Sequence, residues 1–377
     1  MRGVLIAGLL AWAAVAYGQH YQYRVLIGDR DAERGVLYYD YPSGNFGVLG
    51  ICDPSPTAND FYYGIAIHHE RGEIWVCNVL RNRIDILDFD GNCLRTMPSG
   101  FSRPHGIAIH PNGDKVVFSH NSPAMAEYTI STGQWRPILF YYYDQTLEEY
   151  VVYLDGIYGI EWSPNGDYLY AAAKNGVAEI VADPDGSLTN TVRCQSGSGP
   201  FSAPWDVGVI SAAPDVVRLV ATDQNPGVRL NDPPRRRVGL YAFDQPQAGC
   251  RRTSTLSEHP EADQGGILFG IEHAPDGTFW MTNYDRGLLY QLASDGTLLR
   301  RVQVGSLKVG VGLAILPWCW SHDGDVNGDG CIDDADLLAV LFNFGSAERG
   351  IREDTNCDGV VDDADLLTVL FNFGTGC

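Results

Sequence analysis

The last 55 residues of the chain, Asp323 to Cys377, carry one pattern twice. Asp325, Asn327, Asp329, Gly330, Asp333 and Asp336 lead into an apolar series, Leu337, Leu338, Val340, Leu341, Phe342 and Phe344, which ends at Gly345. At an offset of 29 residues (354 − 325), Asp354, Asn356, Asp358, Gly359, Asp362 and Asp365 lead into Leu366, Leu367, Val369, Leu370, Phe371, Phe373 and Gly374. A solvated acidic tail would not alternate its charges with two helical apolar stripes, each closed by glycine. The pattern demands a fold in which carboxylates crowd together, and therefore a cation.

The spacing specifies which cation. Side-chain oxygens at loop positions 1, 3, 5, 9 and 12, with Gly at 6 for the sharp turn, are what a pentagonal-bipyramidal calcium site requires. Position 7 gives only its backbone carbonyl, so Cys331 and Val360 are acceptable there. The expected metal ligands are Asp325, Asn327, Asp329, Cys331, Asp333 and Asp336 in one loop, and Asp354, Asn356, Asp358, Val360, Asp362 and Asp365 in the other. That makes two Ca2+ ions. A module of this size has little core of its own, so folding and calcium binding should be linked.

These repeats resemble the duplicated calcium loops of type I dockerins, in which Asp at position 12 is usual and only the helix after each loop is kept. The resemblance implies a small all-α dockerin-like module over residues 319–377, a cohesin-like partner and a link to polysaccharide use. The pair after position 9 is Asp334 and Ala335 in one copy and Asp363 and Ala364 in the other. Dockerins of cellulosomes commonly carry hydroxyl or small apolar residues there, so the resemblance is closer for calcium than for the partner.

At the other end, Met1 and Arg2 precede a run without charge from Gly3 to Gly18, closed by small residues at Ala16 and Gly18. This reads as a signal peptide over residues 1–18. No later apolar run is long enough to span a membrane. The expected location is secreted or associated with the cell surface. The net charge of −21 argues against nucleic acid as a partner. The tail, with 13 acidic residues and two arginines, holds −11 of it. Nine cysteines in an exported chain point to disulfides with at least one cysteine left over, and spacing does not decide the pairing.

Between these ends runs a loose repeat: a Gly, an alternating strand, a tight turn and a second strand. Gly64-Ile65-Ala66-Ile67, Gly106-Ile107-Ala108-Ile109, Gly159-Ile160-Glu161-Trp162 and Gly270-Ile271-Glu272-His273 are its clearest copies. The turns that follow include Pro111-Asn112-Gly113, Pro164-Asn165-Gly166 and Pro275-Asp276-Gly277. A diverged member lies near Val207 to Ile210, and a last one begins at Gly312. Steps of 42 residues and more suit one four-stranded blade each. The expected fold is all-β over residues 19–318: a six-bladed β-propeller closed by strands from both ends, with Leu313 to Leu316 beside Tyr23 to Gly28. A β-sandwich is the alternative, although sandwiches seldom repeat at this period.

The phrase resembles six-bladed propellers of the group that includes gluconolactonases, regucalcin-like proteins and NHL-repeat proteins. Lactonases of that group bind a divalent metal in the channel through an acidic residue, two asparagines and an aspartate, and no four-residue match to that set occurs here. The nearest echo, Asn283 to Gly287, lacks its companions.

If the repeating Gly marks the inner strand, the residues before it surround one mouth of the channel. Tyr63, His105, Tyr158, Trp205, Asp206 and Phe269 are therefore the candidate ligand-binding residues, suited to stacking a sugar or to packing the ring. Glu161 and Glu272 stand at equivalent positions, which duplication alone explains, and no catalytic residue is assigned. His68, His69, His105 and His110 are expected to scatter rather than hold zinc. Asn225 to Arg237, ending in three consecutive arginines, reads as a surface loop. The sequence thus points to a noncatalytic secreted propeller with an attachment tail, acting in recognition or extracellular assembly, with a glycan as a further candidate partner. The rival reading is a lactonase-like or glycan-cleaving hydrolase with its active site in the channel.

Overall fold

The computed structural model describes residues 23–29, 35–50, 52, 61–120, 122–174, 176–195, 204–213, 216–223, 237–244, 251–258, 268–283, 286–304, 307, 310–317, 324–327, 330–346, 351–356 and 360–377. They form two compact units, one of Arg24–Asp40 and Gly44–Leu316, the other centred on Pro317–Cys377.

The first unit is a succession of short antiparallel strands. In chain order these are β1 (Tyr23–Asp29), β2 (Val36–Tyr41), β3 (Phe46–Gly50), β4 (Tyr62–His68), β5 (Glu73–Asn78), β6 (Arg83–Asp88) and β7 (Cys93–Pro98). Then follow β8 (Ile107–Ile109), β9 (Lys115–Ser119), β10 (Ala124–Thr129), β11 (Gln134–Leu139), β12 (Tyr141–Asp144) and β13 (Glu149–Val152). Next come β14 (Ile160–Trp162), β15 (Tyr168–Ala173), β16 (Gly176–Ala182), β17 (Leu188–Gln195), β18 (Pro204–Ala213), β19 (Val216–Asp223), β20 (Arg237–Asp244) and β21 (Arg251–Glu258). The series ends with β22 (Leu268–His273), β23 (Phe279–Asn283), β24 (Leu288–Leu292), β25 (Leu298–Gln303) and β26 (Gly310–Pro317).

Five four-stranded sheets are cut from continuous stretches, β4–β7, β8–β11, β14–β17, β18–β21 and β22–β25. One more is composite, in the order β26-β1-β2-β3. The hairpins turn where glycine supplies a positive φ that a side chain would strain, as at Gly113 (73°) and Gly166 (76°).

The fold class expected from sequence is corrected on three points. The complete contiguous blades number five, not six. The composite sheet, with one strand from the far end of the body and three from its start, is not a sixth contiguous blade, and the series of five is open rather than closed. Outside the blade pattern stands a two-stranded sheet of β12 and β13, because Tyr141–Asp144 continues the chain straight past the end of β11 into its own hairpin.

Among the described side chains, apolar residues of neighbouring blades pack face to face, so the interfaces between blades form a core. Trp75, Phe118, Ile84 and Val116 lie between the β4–β7 and β8–β11 blades, and Leu169, Ile180, Phe140 and Leu154 between the β8–β11 and β14–β17 blades. Among the described residues Trp75 and Trp280 are the largest fully buried side chains. At roughly 25 cal/mol per Å2 of apolar surface, large buried rings dominate such a core.

The second unit is a small helical module. Among its described residues are two short helices, α1 (Asp334–Phe342) and α2 (Asp363–Asn372), with the rest in loops and turns. Asp333 and Asp362 cap the helices, and Asp336 and Asp365 complete a capping box in each. Val326, Ile332, Val340, Val361 and Val369 form the small core. Two backbone bridges relate the copies: Ile332 exchanges hydrogen bonds with Gly374 and Thr375, and Val361 with Gly345 and Ser346. The Cys331–Cys377 disulfide ties the last residue to the first loop. Among the described residues no helix is long and apolar enough to cross a membrane.

Candidate functional site

The centre of the first unit is built by the repeating glycines. A Cβ at Gly64 would strike the carbonyl of His105, one at Gly106 that of Tyr158, one at Gly270 that of Val311 and one at Gly312 that of Tyr63. Successive inner strands therefore approach more closely than any side chain permits.

Hydroxyls fasten this approach. Ser119 Oγ accepts from Gly106 N at 2.9 Å and donates to the Tyr158 carbonyl of the next blade. Thr282 Oγ1 accepts from Gly270 N at 2.9 Å and donates to Val311 O at 3.0 Å. Thr222 Oγ1 accepts from Asp206 N at 3.1 Å and donates to Phe269 O at 2.7 Å. In the β4–β7 blade the same place is held by the buried free thiol of Cys77, 4.0 Å from Gly106 O.

This pattern identifies Asp206 as the residue standing where the other blades have glycine. Its side chain fits because Gly159 faces it, and a Cβ on Gly159 would collide with the carboxylate. Asp206 Oδ2 accepts from Ile271 N at 3.1 Å and Oδ1 from Val207 N at 3.0 Å. Two positions beyond the glycines stand Ala66, Ala108, Glu161, Glu272 and Ala314. Glu161 Oε2 accepts from Val209 N at 2.6 Å, across the blade interface.

Three carboxyls from adjacent blades thus line one side of the channel, and small apolar residues line the other. Burial pushes Glu161 up to about 8, with Asp206 adding repulsion, and pushes Asp206 up to about 7. Glu272 is raised well above the carboxylate range by burial and by the charges of Glu161 and Asp206. Each keeps some accessible surface because it faces a cavity of about 340 Å3 rather than packed protein. Among the described residues no Lys or Arg lines that cavity.

The candidate mouth residues converge into one ring of aromatic contacts. Ring centroids are 4.8 Å apart for Tyr63–His105, 6.1 Å for His105–Tyr158, 4.2 Å for Tyr158–Trp205, 4.5 Å for Trp205–Phe269 and 5.2 Å for Phe269–Tyr63. The contacts close on themselves in a circuit of five rings. Burial pushes His105 down to about 4, so it is neutral, and its Nδ1 donates to Arg103 O at 2.7 Å. Asp206 lies one residue beyond the ring, among the carboxyls.

The other histidines scatter. His68 Nε2 bonds Gly113 O at 2.8 Å and His110 Nε2 bonds Gly166 O at 3.1 Å, each fastening a hairpin of the following blade. Sequence reading missed the three-carboxyl wall. Its signal was present in Glu161 and Glu272 at equivalent positions, but Asp206 could not be aligned with the glycines until its amide was seen on Thr222.

In the second unit, Asp336 and Asp365 are fully buried. Asp336 accepts from Asn327 N at 3.0 Å and Asp333 N at 2.9 Å, and Asp365 from Asn356 N at 3.0 Å and Asp362 N at 2.8 Å. Gly330 N donates to Asp325 Oδ2 at 3.0 Å. Position-12 carboxylates thus point inward and the amides of positions 3 and 9 hold each loop round them, while the position-6 amide of the first loop binds the position-1 carboxylate, a donor set that fits a hard cation. Asp329 and Asp358 lie outside the described residues, as do residues 1–18, Cys250, Cys319, Cys357 and residues 225–236. Among the described residues no group of three or more His, Cys, Asp or Glu is placed to hold a metal ion.

No family model and no curated protein matches the chain. Among solved structures, a chain of the nidogen/laminin complex superposes with a TM-score of 0.56 at 12% identity, over 78% of this chain and 98% of that one. The body has a β-propeller fold. A functionally unknown protein from Desulfotomaculum acetoxidans DSM 771 gives 0.49 at 14% identity, covering 78% of this propeller chain and 99% of its own. A putative gluconolactonase gives 0.49 at 13% identity, covering 68% and 86%.

Proposed function

We propose that this is an exported recognition protein whose propeller channel receives a ligand and whose C-terminal module, folded by two Ca2+ ions, attaches it to a cohesin-like partner. The observation that carries the reading is the pair of fully buried carboxylates, Asp336 and Asp365, each held by the backbone amides of positions 3 and 9 of its own loop. Without a cation such a loop holds like charges close together. With one, Asp325, Asn327, Asp333 and Asp336 would hold the first ion beside the carbonyl of Cys331, and Asp354, Asn356, Asp362 and Asp365 the second beside that of Val360, with Asp329 and Asp358 completing the sets. Bound calcium supplies charge neutralisation there. Circular dichroism of the full mature chain should show helix lost on chelation and regained with calcium. An unchanged spectrum would remove the reading.

A second reading, a hydrolase acting on a carbohydrate or lactone, is favoured by Glu161, Asp206 and Glu272. Burial brings Asp206 to about 7 and Glu161 to about 8, where carboxyls exchange protons near neutral pH, and raises Glu272 well above the carboxylate range. Turnover in a glycan and lactone panel, lost in Glu161→Gln, would establish it over the noncatalytic reading.

A further inference from the structure

A second cavity of the propeller unit, about 210 Å3 in volume, is walled by Ser102, Arg103, His105 and His120. It shares no lining residue with the carboxyl-walled cavity of the channel. Every side chain around it is polar, and among the described residues none is acidic. In a chain of net charge −21 such a place is unusual.

Arg103 is the source of the contrast. Arg24, Arg83, Arg95, Arg136 and Arg193 each face a carboxylate, whereas the Arg103 guanidinium has no ion-pair or hydrogen-bond partner among the described residues. Its backbone is strained as well, with φ at 58°, in the left-handed region where glycine is the relaxed choice. Asn82 Oδ1 accepts from Arg103 N at 2.7 Å and His105 Nδ1 donates to Arg103 O at 2.7 Å, so the strained residue is fixed from both sides. A long cationic side chain that stands where glycine would be easier, and that pairs with nothing in the chain, is placed for a ligand.

The histidines set what else that ligand carries. Because His105 Nδ1 is the donor to Arg103 O, its Nε2 is left as an acceptor. Burial, with the charge of Arg103 adding to it, keeps this ring neutral. His120 is held by the Phe101 ring, 4.5 Å away between centroids, and by Ser122 Oγ, 3.3 Å from its Nε2, and burial lowers its proton affinity too. Arg103 is therefore the one full charge in the described lining, and its planar fork matches a carboxylate. The neutral imidazole of His105 and the hydroxyl of Ser102 suit hydroxyl groups beside it. We infer that this cavity binds a small hydroxylated carboxylate, its carboxylate on Arg103 and a neighbouring hydroxyl on His105 Nε2. Its volume is below that of drug-sized pockets and suits a molecule of one ring or less. The inference is independent of the channel ligand and of calcium in the tail.

The test is an NMR titration of the full mature protein at neutral pH, following the ring Cε1–H signals of His105 and His120, with D-glucuronate, D-glucose, acetate and inorganic phosphate as separate arms. Glucuronate should shift both signals. It should bind at least about tenfold more tightly than glucose, which lacks the charge, or acetate, which lacks the hydroxyls. Arg103→Gly removes the guanidinium and relaxes the backbone, so it should resist urea at least as well as the parent and lose that advantage. If the glycine variant does not fold, Arg103→Asn, which also tolerates a left-handed φ, serves with the same loss expected. Phosphate bound as tightly as glucuronate would overturn the carboxylate assignment, and acetate bound as tightly would overturn the role of the hydroxyl. Unmoved signals, or shifts of the same size in the Arg103 variant, would overturn the site itself.

Discussion

Asp206 accepts a hydrogen bond from the amide of Ile271, 65 residues away in the next blade, at 3.1 Å. The contact exists because Asp206 occupies a glycine position and Gly159 leaves room for its carboxylate. Gly159→Ala should therefore force the two strands apart and destabilise the protein by about 2–4 kcal/mol. Urea unfolding monitored by tryptophan fluorescence would measure it. A midpoint equal to that of the parent protein would show that the strands are not held this closely.

The hydroxyl fasteners give a comparison within one molecule. Ser119→Ala removes the acceptor of Gly106 N and the donor to Tyr158 O in a fully buried place, and should cost about 1–3 kcal/mol. Cys77→Ser puts a hydroxyl where a thiol now sits in the same role, and should change stability by less than about 1 kcal/mol. The reverse order of effects in urea titrations would dismiss the fastener.

Burial raises Asp206 to about 7 and Glu161 to about 8, whereas unfolded carboxyls titrate near about 4. The folded chain therefore binds these protons more tightly than the unfolded one. Their contribution to stability is fully present below about pH 4 and is lost as pH rises through about 7 to 8. Glu161→Gln cannot titrate, so its stability relative to the parent should rise between pH 5 and pH 9. Parallel urea midpoints across that range would contradict the assigned burial.

Much of the fold was legible because its physics is local. Asn112-Gly113 and Asn165-Gly166 announce hairpins, and the repeated Gly before an alternating strand marks the inner edge of a blade. The aromatic ring could be named from Tyr63, His105, Tyr158, Trp205 and Phe269 because each precedes a glycine or its substitute. What stayed hidden depends on contacts distant in sequence. Asp206 as a replaced glycine was visible only through Thr222, and the hairpin of β12 and β13 breaks the blade pattern with no local warning. Likewise, the Cys331–Cys377 pairing was one of several that spacing allowed.

The central claim about the tail is that its duplicated loops are calcium sites. Equilibrium dialysis of the full mature protein against radioactive Ca2+ counts the ions directly. The expected result is two ions per chain, falling to none in Asp325→Ala/Asp354→Ala. A chain that retains no calcium, or a double variant that retains as much as the parent, would contradict the claim.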